Sequence, residues 1–196
     1  MVERPDDARI TAWALAAGRG DRAALAAFVQ ATQRDVHRFV AHLGGRRDAD
    51  DLAQETYLRA LRSLPGFAGR SGARTWLLSV ARHTCADAVR TAVRRPRTSG
   101  VEDWDALAAA VAPRPGLVRS SMDEAVLLRE LVDALDDDRR EAFVLTQLLD
   151  LSYAEAAQVC GCPVGTIRSR VARAREDLVD ALDGTAPEGV RRAGGT

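Results

Sequence analysis

Four arginines and two hydroxyl residues near the carboxyl end of the chain are spaced to contact nucleic acid. The segment 163–175 holds four Arg and no acidic residue, and every cation in the chain is Arg. A guanidinium binds phosphate or a guanine edge through paired hydrogen bonds, so Arg suits both contacts. The candidates are Thr166, Arg168, Ser169, Arg170 and Arg173, with Arg175 as a further phosphate contact. A solvated charged face is the alternative explanation of this segment taken alone.

A second basic segment lies in the first half of the chain. Residues 70–97 contain seven Arg and one acidic residue, Asp87. The formal net charge of the chain is zero, yet residues 1–97 carry +7 and residues 98–196 carry −7. Two separated basic segments in a neutral chain predict two local contacts with nucleic acid. A GC-rich genome would produce the same excess of Arg without any functional meaning.

Other reactive residue types do not form a recognisable catalytic or metal site. Cys160 and Cys162 flank Gly161, but no His follows His83, so a zinc site lacks local ligands. His83 and Asp87 are one helical turn apart, without a nucleophile or metal constellation beside them. The three cysteines are an odd number, which argues against a disulfide framework. We therefore predict a protein that is not an enzyme and binds no metal or cofactor.

The elements that position these residues are predicted to be helices. Alanine and leucine dominate the composition and aromatic residues make up only 5%, which favours an all-α fold. Apolar periodicity predicts four helices, at about 6–17, 21–43, 48–64 and 71–94, that form one bundle within residues 1–97. In the third helix, the expected core residues are Leu52, Leu58 and Leu61.

The second half of the chain predicts a linker followed by a smaller helical domain. Residues 98–121 lose the apolar periodicity and are interpreted as a flexible linker between two separately folded units. Residues 122–184 form the second domain, and residues 185–196 are predicted to be a disordered tail. The longest uncharged run has 12 residues, too few to span a bilayer, so a cytoplasmic protein is expected.

A helix-turn-helix is predicted within this second domain. Ser152 and Glu155 have capping-box spacing, Gly161 suits a left-handed turn, and Pro163 suits the first turn of the next helix. The buried stripe of that helix is predicted to be Ile167, Val171, Ala174, Leu178 and Leu182. A structural helical hairpin without DNA contacts is the alternative.

Three segments, in family order, resemble the sigma-70 family of RNA polymerase specificity subunits. DADDLAQETYLRALR (48–62) resembles region 2.2, GARTWLLSVARHTCADAVR (72–90) resembles regions 2.3 and 2.4, and 139–175 resembles region 4.2. The two-part layout is similar to that of the extracytoplasmic-function (group IV) class. Among these, the chain looks most like the actinobacterial sigma C group.

This resemblance implies partners and roles. Core RNA polymerase would be bound through its β′ coiled coil and β flap, with Asp51, Gln54, Glu55 and Arg59 facing the coiled coil. Residues 1–97 would recognise and melt the −10 element, and 122–184 would read the −35 element through the candidate residues of the helix-turn-helix. The residues implied at the −10 element are Phe67, Arg70, Arg74, Trp76, Arg82, Arg90 and Arg94. The free subunit is expected to be a monomer, and an anti-sigma factor is a further partner that the resemblance suggests.

Two questions stay open at the level of the sequence. A stand-alone helix-turn-helix regulator, with residues 1–97 as a sensor or dimerisation domain, is the alternative function. The acidic residues Asp133 and 136–138 either face water or polymerase, or pack on the basic surface of 70–97 and block it in the free protein.

Overall fold

The computed structural model describes residues 6–45, 47–94 and 121–182, with side chains described except at 93, 94 and 121–125. Within these ranges there are eight α-helices and no strand, which confirms the all-α prediction. The helices are α1 (Asp7–Gly18), α2 (Arg22–Leu43), α3 (Ala49–Ser63), α4 (Ala73–Arg94), α5 (Ser121–Asp133), α6 (Asp137–Phe143), α7 (Tyr153–Cys160) and α8 (Val164–Leu182). Most of the predicted linker and the predicted tail lie outside the described residues.

Helices α1 to α4 form the first unit, in which α2 and α4 supply most of the large buried side chains. Asp21 caps α2 by accepting hydrogen bonds from the backbone N–H groups of Ala23 (2.9 Å) and Ala24 (3.0 Å). Phe28 and Phe39 of α2 are fully buried with Leu77 of α4. At the end of α1, a Cβ on Gly18 would lie 2.7 Å from the Leu64 carbonyl oxygen, so only glycine permits this close approach.

The buried face of α3 differs from the predicted one. Leu52 is buried as expected, but Leu58 and Leu61 are 42% and 37% exposed. The buried positions are instead Ala49, Leu52, Thr56 and Ala60. Small side chains at this interface let α3 pack closely on α2 and α4, which turns the two leucines outward.

Helices α5 to α8 form the second unit, which contains the predicted helix-turn-helix. The capping box of Ser152 and Glu155 begins α7, and Gly161 ends it with a φ of 65°. Ile167, Val171, Ala174 and Leu178 of α8 are buried as predicted. Leu182 is 58% exposed, because the last turn of α8 extends beyond the helices that cover its apolar face.

A single π-helical turn over Val144–Leu148 connects α6 to the helix-turn-helix. The backbone N–H of Leu149 bonds to the carbonyl of Val144, five residues earlier, at 3.0 Å. Asp150 then adopts a φ of 57°, and the helix ends. This ending leaves the carbonyls of Leu148 and Leu149 to accept hydrogen bonds from outside the second unit.

The two units pack against each other. Helix α4 lies against α7, α2 lies against α6, and one apolar core extends through both units. We call this packing the closed arrangement. It decides which of the predicted functional residues reach solvent.

Candidate nucleic-acid interface

The outer face of α8 presents the polar side chains that the helix-turn-helix pattern predicted. Arg168, Ser169 and Arg173 are exposed, on the side of the helix away from the buried stripe. The Ser169 hydroxyl donates to the carbonyl of Thr166 at 2.9 Å. Neither Arg168 nor Arg173 is bound by another side chain within the described ranges, so both guanidiniums are available to an anionic partner.

The flanks of α8 are tied to the rest of the second unit. Arg170 is half-buried and forms an ion pair with Asp138 of α6, and its Nη1 lies 3.9 Å from the Cys162 sulfur. Arg175 donates to the Gln147 side chain at 2.8 Å. Arg170 therefore lies at the edge of the recognition face, whereas Arg173 and Ser169 lie at its centre.

An aromatic pair braces the loop before α4. The rings of Phe67 and Trp76 are 4.9 Å apart between centroids and inclined by 35°, and both side chains are half-buried against the core. Arg70, between them in the chain, is exposed. The side chain of Arg94, the last residue of α4, lies outside the described set.

Arg74 is placed in the interior, and not on the surface that a DNA contact requires. Its Nε donates to Asp35 at 2.7 Å, and its Nη2 donates to the carbonyl of Leu149. Asp7 lies 4.0 Å from the same guanidinium. Only 5% of the Arg74 side chain is exposed, because the end of the π-helical turn covers it in the closed arrangement. Sequence periodicity within α4 carries no information about this covering.

Arg82 is also turned toward the second unit. It forms a hydrogen-bonded ion pair with Glu141 of α6, whose side chain is only 6% exposed. Burial raises the pKa of Glu141, and the hydrogen bond and charge of Arg82 offset that effect only in part. The pair lines a cleft between α4 and α6 that also contains Cys85, and burial raises the pKa of this thiol to about 11.

The acidic residues that the sequence left either solvated or packed on the basic surface have separate partners. Asp133 does reach the first unit, where its Oδ1 lies 2.5 Å from Nδ1 of His42. The others act within the second unit: Asp136 caps α6, Asp137 pairs with Arg140, and Asp138 pairs with Arg170. From the second unit, Glu141 is a carboxylate that meets an arginine of the 70–97 segment, and the charge pattern did not single it out.

The outer face of α3 combines acidic and apolar residues. Asp51 and Gln54 are exposed, and Leu58 and Leu61 lie on the same side of the helix. Helical spacing from Asp51 could have placed Leu58 and Leu61 on the exposed face of α3. Because both side chains are apolar, the sequence analysis assigned them to the core.

An ion-pair series connects this helix to α4. Arg59 donates to Glu55 at 2.7 Å and to Asp87 at 2.5 Å, and Asp87 in turn pairs with Arg90. Hydrogen bonds from Arg59 and then Arg90 hold the pKa of Asp87 below its usual range. Glu55 and Arg59, which are predicted to contact polymerase, thus connect to α4, the helix that is predicted to hold DNA.

The cysteines and possible metal ligands do not cluster. Cys85, Cys160 and Cys162 are free thiols, and burial raises the pKa of Cys160. Across the described ranges, no three His, Cys, Asp or Glu side chains are grouped so as to hold a metal ion. His83 bonds to the carbonyl of Ser79 and not to Asp87. None of the described helices has the combined length and apolarity needed to cross a bilayer.

Comparison with known proteins identifies both units. Residues 28–95 match the family model "Sigma-70 region 2", and residues 125–178 match "Sigma-70, region 4". The chain is 51% identical over 174 residues to the ECF RNA polymerase sigma factor SigC of Mycobacterium tuberculosis, covering 89% of this chain and 91% of that protein.

Two solved structures have a similar fold. CnrH, in complex with the cytosolic domain of CnrY, aligns with a TM-score of 0.67 at 24% identity, over 91% of this chain and 99% of that one. The sigma factor RpoE of Bartonella quintana, in complex with the anti-sigma factor NepR, aligns with a TM-score of 0.62 at 28% identity, over 79% and 94%. The chain therefore belongs to the extracytoplasmic-function RNA polymerase sigma factors of the sigma-70 family, and not to the stand-alone helix-turn-helix regulators.

Proposed function

We propose that this sigma factor binds core RNA polymerase through the outer face of α3 and reads promoter DNA with the loop before α4, with α4 and with α8. The observation that supports this most strongly is the outer face of α3. Leu58 and Leu61 remain exposed beside Asp51 and Gln54 on a helix that uses its other side for the core. A protein that acts on DNA alone has no need of such a surface, whereas an apolar centre with a charged rim suits a protein partner.

The −35 contact is assigned to the outer face of α8. Arg173 and Ser169 occupy the centre of the exposed face and are proposed to reach base edges, while Arg168 is proposed to bind phosphate. Arg170 joins the contact only if its ion pair with Asp138 is exchanged for one with DNA.

The −10 contact is assigned to Arg70, Arg90, Arg94 and the aromatic pair of Phe67 and Trp76. In the closed arrangement Arg82 is paired with the second unit, and Arg74 is covered by it while also paired with Asp35 of the first unit. They become available to DNA only when the two units separate.

We propose that binding to polymerase accompanies this separation, so that the free subunit does not occupy promoters. The protein is proposed to act in the cytoplasm and to catalyse no reaction itself.

An anti-sigma protein is a further proposed partner. The sigma factor RpoE of Bartonella quintana, which shares 28% of aligned residues with this chain, was solved in complex with the anti-sigma factor NepR. Its similarity to this chain supports a partner of the same kind without specifying its identity.

Transcription in vitro with purified core polymerase tests the proposal. Leu58→Glu is expected to abolish binding to core polymerase with unchanged circular dichroism, because the side chain is exposed. Arg173→Ala is expected to keep core binding and to relax base preference at one position of the −35 element, a loss of about 1–3 kcal/mol. The exposed change Val179→Glu serves as the control. Full core binding by Leu58→Glu would exclude the α3 face.

A further inference from the structure

A cavity between the two units has the composition of an anion site. It has a volume of about 530 Å³, which is in the range of small-molecule sites. It is open to solvent, and residues of helices α2, α3 and α5 line it. Its polar lining consists of Gln33, Arg34, His37, Arg38, Tyr57 and Arg129.

The three guanidiniums of this cavity are only partly satisfied. Arg34 is exposed and has no bonded partner within the described ranges. Arg38 uses Nη1 to donate to the Leu148 carbonyl at 3.0 Å. The Nε of Arg129 is buried without a hydrogen-bond partner, since Asp133 Oδ2 lies 3.8 Å away, beyond hydrogen-bonding distance.

Acidic groups neutralise the cavity only in part: Asp133 Oδ2 lies 3.8 Å from the Arg129 Nε and forms an ion pair with that guanidinium. No carboxylate belongs to its lining. Asp50 bonds to His37 at 3.1 Å from a side chain that is 95% exposed, and Asp133 is bonded to His42. Burial raises the pKa of Tyr57 to about 12, so its phenol adds no negative charge at neutral pH.

We propose that this cavity binds a small phosphate-bearing anion. Three converging guanidiniums repel one another, and an anion with at least two charges and several acceptor oxygens relieves that repulsion. A single carboxylate offers one charge and two acceptor oxygens. The Arg129 side chain is about one-third exposed (35%), so part of its guanidinium remains available to a phosphoryl oxygen although its Nε is buried.

The position of the cavity gives the anion a regulatory consequence. Arg34 and Arg38 belong to the first unit and Arg129 to the second, so a bound anion bridges both. A ligand that binds only the closed arrangement stabilises it. The binding step itself does not depend on the roles proposed for polymerase or DNA.

Calorimetric titration of the full chain with inorganic tripolyphosphate, at constant ionic strength, tests the site. The expected result is saturable one-to-one binding, weakened about tenfold by Arg34→Gln and by Arg129→Gln. Arg22→Gln is the matched control, because it removes the same charge from the same helix, about 18 Å along its axis from Arg34. Circular dichroism verifies that each variant is folded.

Several outcomes would overturn the proposal. Non-saturable binding, or equal weakening by Arg22→Gln, would mean that the anion follows net charge alone. Citrate binding as tightly as tripolyphosphate would mean that the cavity accepts carboxylates, as an acidic peptide would provide.

Alkylation of Cys85, which lies in the cleft between the units, tests whether the anion bridges them. Tripolyphosphate is expected to slow the alkylation of Cys85 severalfold in the wild type and not in Arg129→Gln. An unchanged alkylation rate in the wild type would contradict an anion that bridges the two units.

Discussion

Glu141 places a carboxylate in the cleft between α4 and α6, where Arg82 is its hydrogen-bonded cation. Removing only the cation leaves a buried carboxylate without a partner, whereas replacing the carboxylate by an amide leaves a partly exposed cation that still has a hydrogen-bond acceptor. The two substitutions therefore have different expected costs, although both abolish the same ion pair.

Arg82→Ala is expected to lower the free energy of unfolding by about 1–3 kcal/mol, because water that enters the cleft only partly solvates Glu141. Glu141→Gln keeps an acceptor for Arg82 and is expected to remain within about 1 kcal/mol of the wild type, or to exceed it. Urea unfolding followed by circular dichroism measures both changes. A larger loss for Glu141→Gln than for Arg82→Ala would show that the ion pair is net stabilising.

The raised pKa of Glu141 also predicts how stability depends on pH. The folded chain retains a proton on Glu141 at pH values where the unfolded chain has released it. The contribution of Glu141 to stability therefore rises as pH falls through the folded pKa toward the ordinary value, and it falls as pH rises. Relative to Glu141→Gln, the wild type should gain stability as pH falls from neutral toward the ordinary carboxyl pKa. A relative loss over that interval would contradict the assignment.

Helices α3 and α4 are coupled by the series Glu55, Arg59, Asp87 and Arg90. Each contact is exposed to solvent, so its effect on stability is small. Its effect on function is expected to be larger, because Asp87 competes with a DNA phosphate for Arg90. The helix proposed to bind polymerase and the helix proposed to hold DNA thus share one carboxylate.

Asp87→Asn is expected to release Arg90 and to raise affinity for promoter DNA. The slope of log K against log salt should steepen by about one counterion. Asp50→Asn removes an exposed carboxylate from the neighbouring helix α3 and is the control. The measurement is filter binding of the polymerase–sigma complex at several salt concentrations. A weaker or unchanged affinity of Asp87→Asn would indicate that Asp87 orients Arg90 for DNA and does not withhold it.

Across the whole molecule, the closed arrangement depends on apolar packing more than on opposite charge. One apolar core extends through both units, and Glu141–Arg82 and Asp133–His42 are pairs that join an acidic group of the second unit to a basic group of the first. The radius of gyration of the free chain is therefore expected to stay constant between low salt and about 1 M salt, where the Debye length falls to about 3 Å. Small-angle scattering measures the radius of gyration, and expansion with salt would favour charge-driven closure, one of the two alternatives that the sequence left open.

Sequence patterns determined the local structure well, because it depends on residues close in the chain. The capping box of Ser152, the left-handed Gly161 and the buried stripe from Ile167 to Leu178 follow from spacing within one or two helices. The order of the three sigma-like segments likewise identified the family from the sequence alone. The exposed Arg168 and Arg173 follow from the same periodicity.

Only the tertiary structure decided which side chains are free to act. Leu58 faces outward, although it is apolar, because small residues on the opposite side of α3 form the closer interface. Arg74 is buried, although it is charged, because the carbonyl of Leu149 and the carboxylate of Asp35 satisfy it there. Both outcomes depend on contacts between residues far apart in the chain. Periodicity within one helix reports which face is apolar, but not which neighbour covers it.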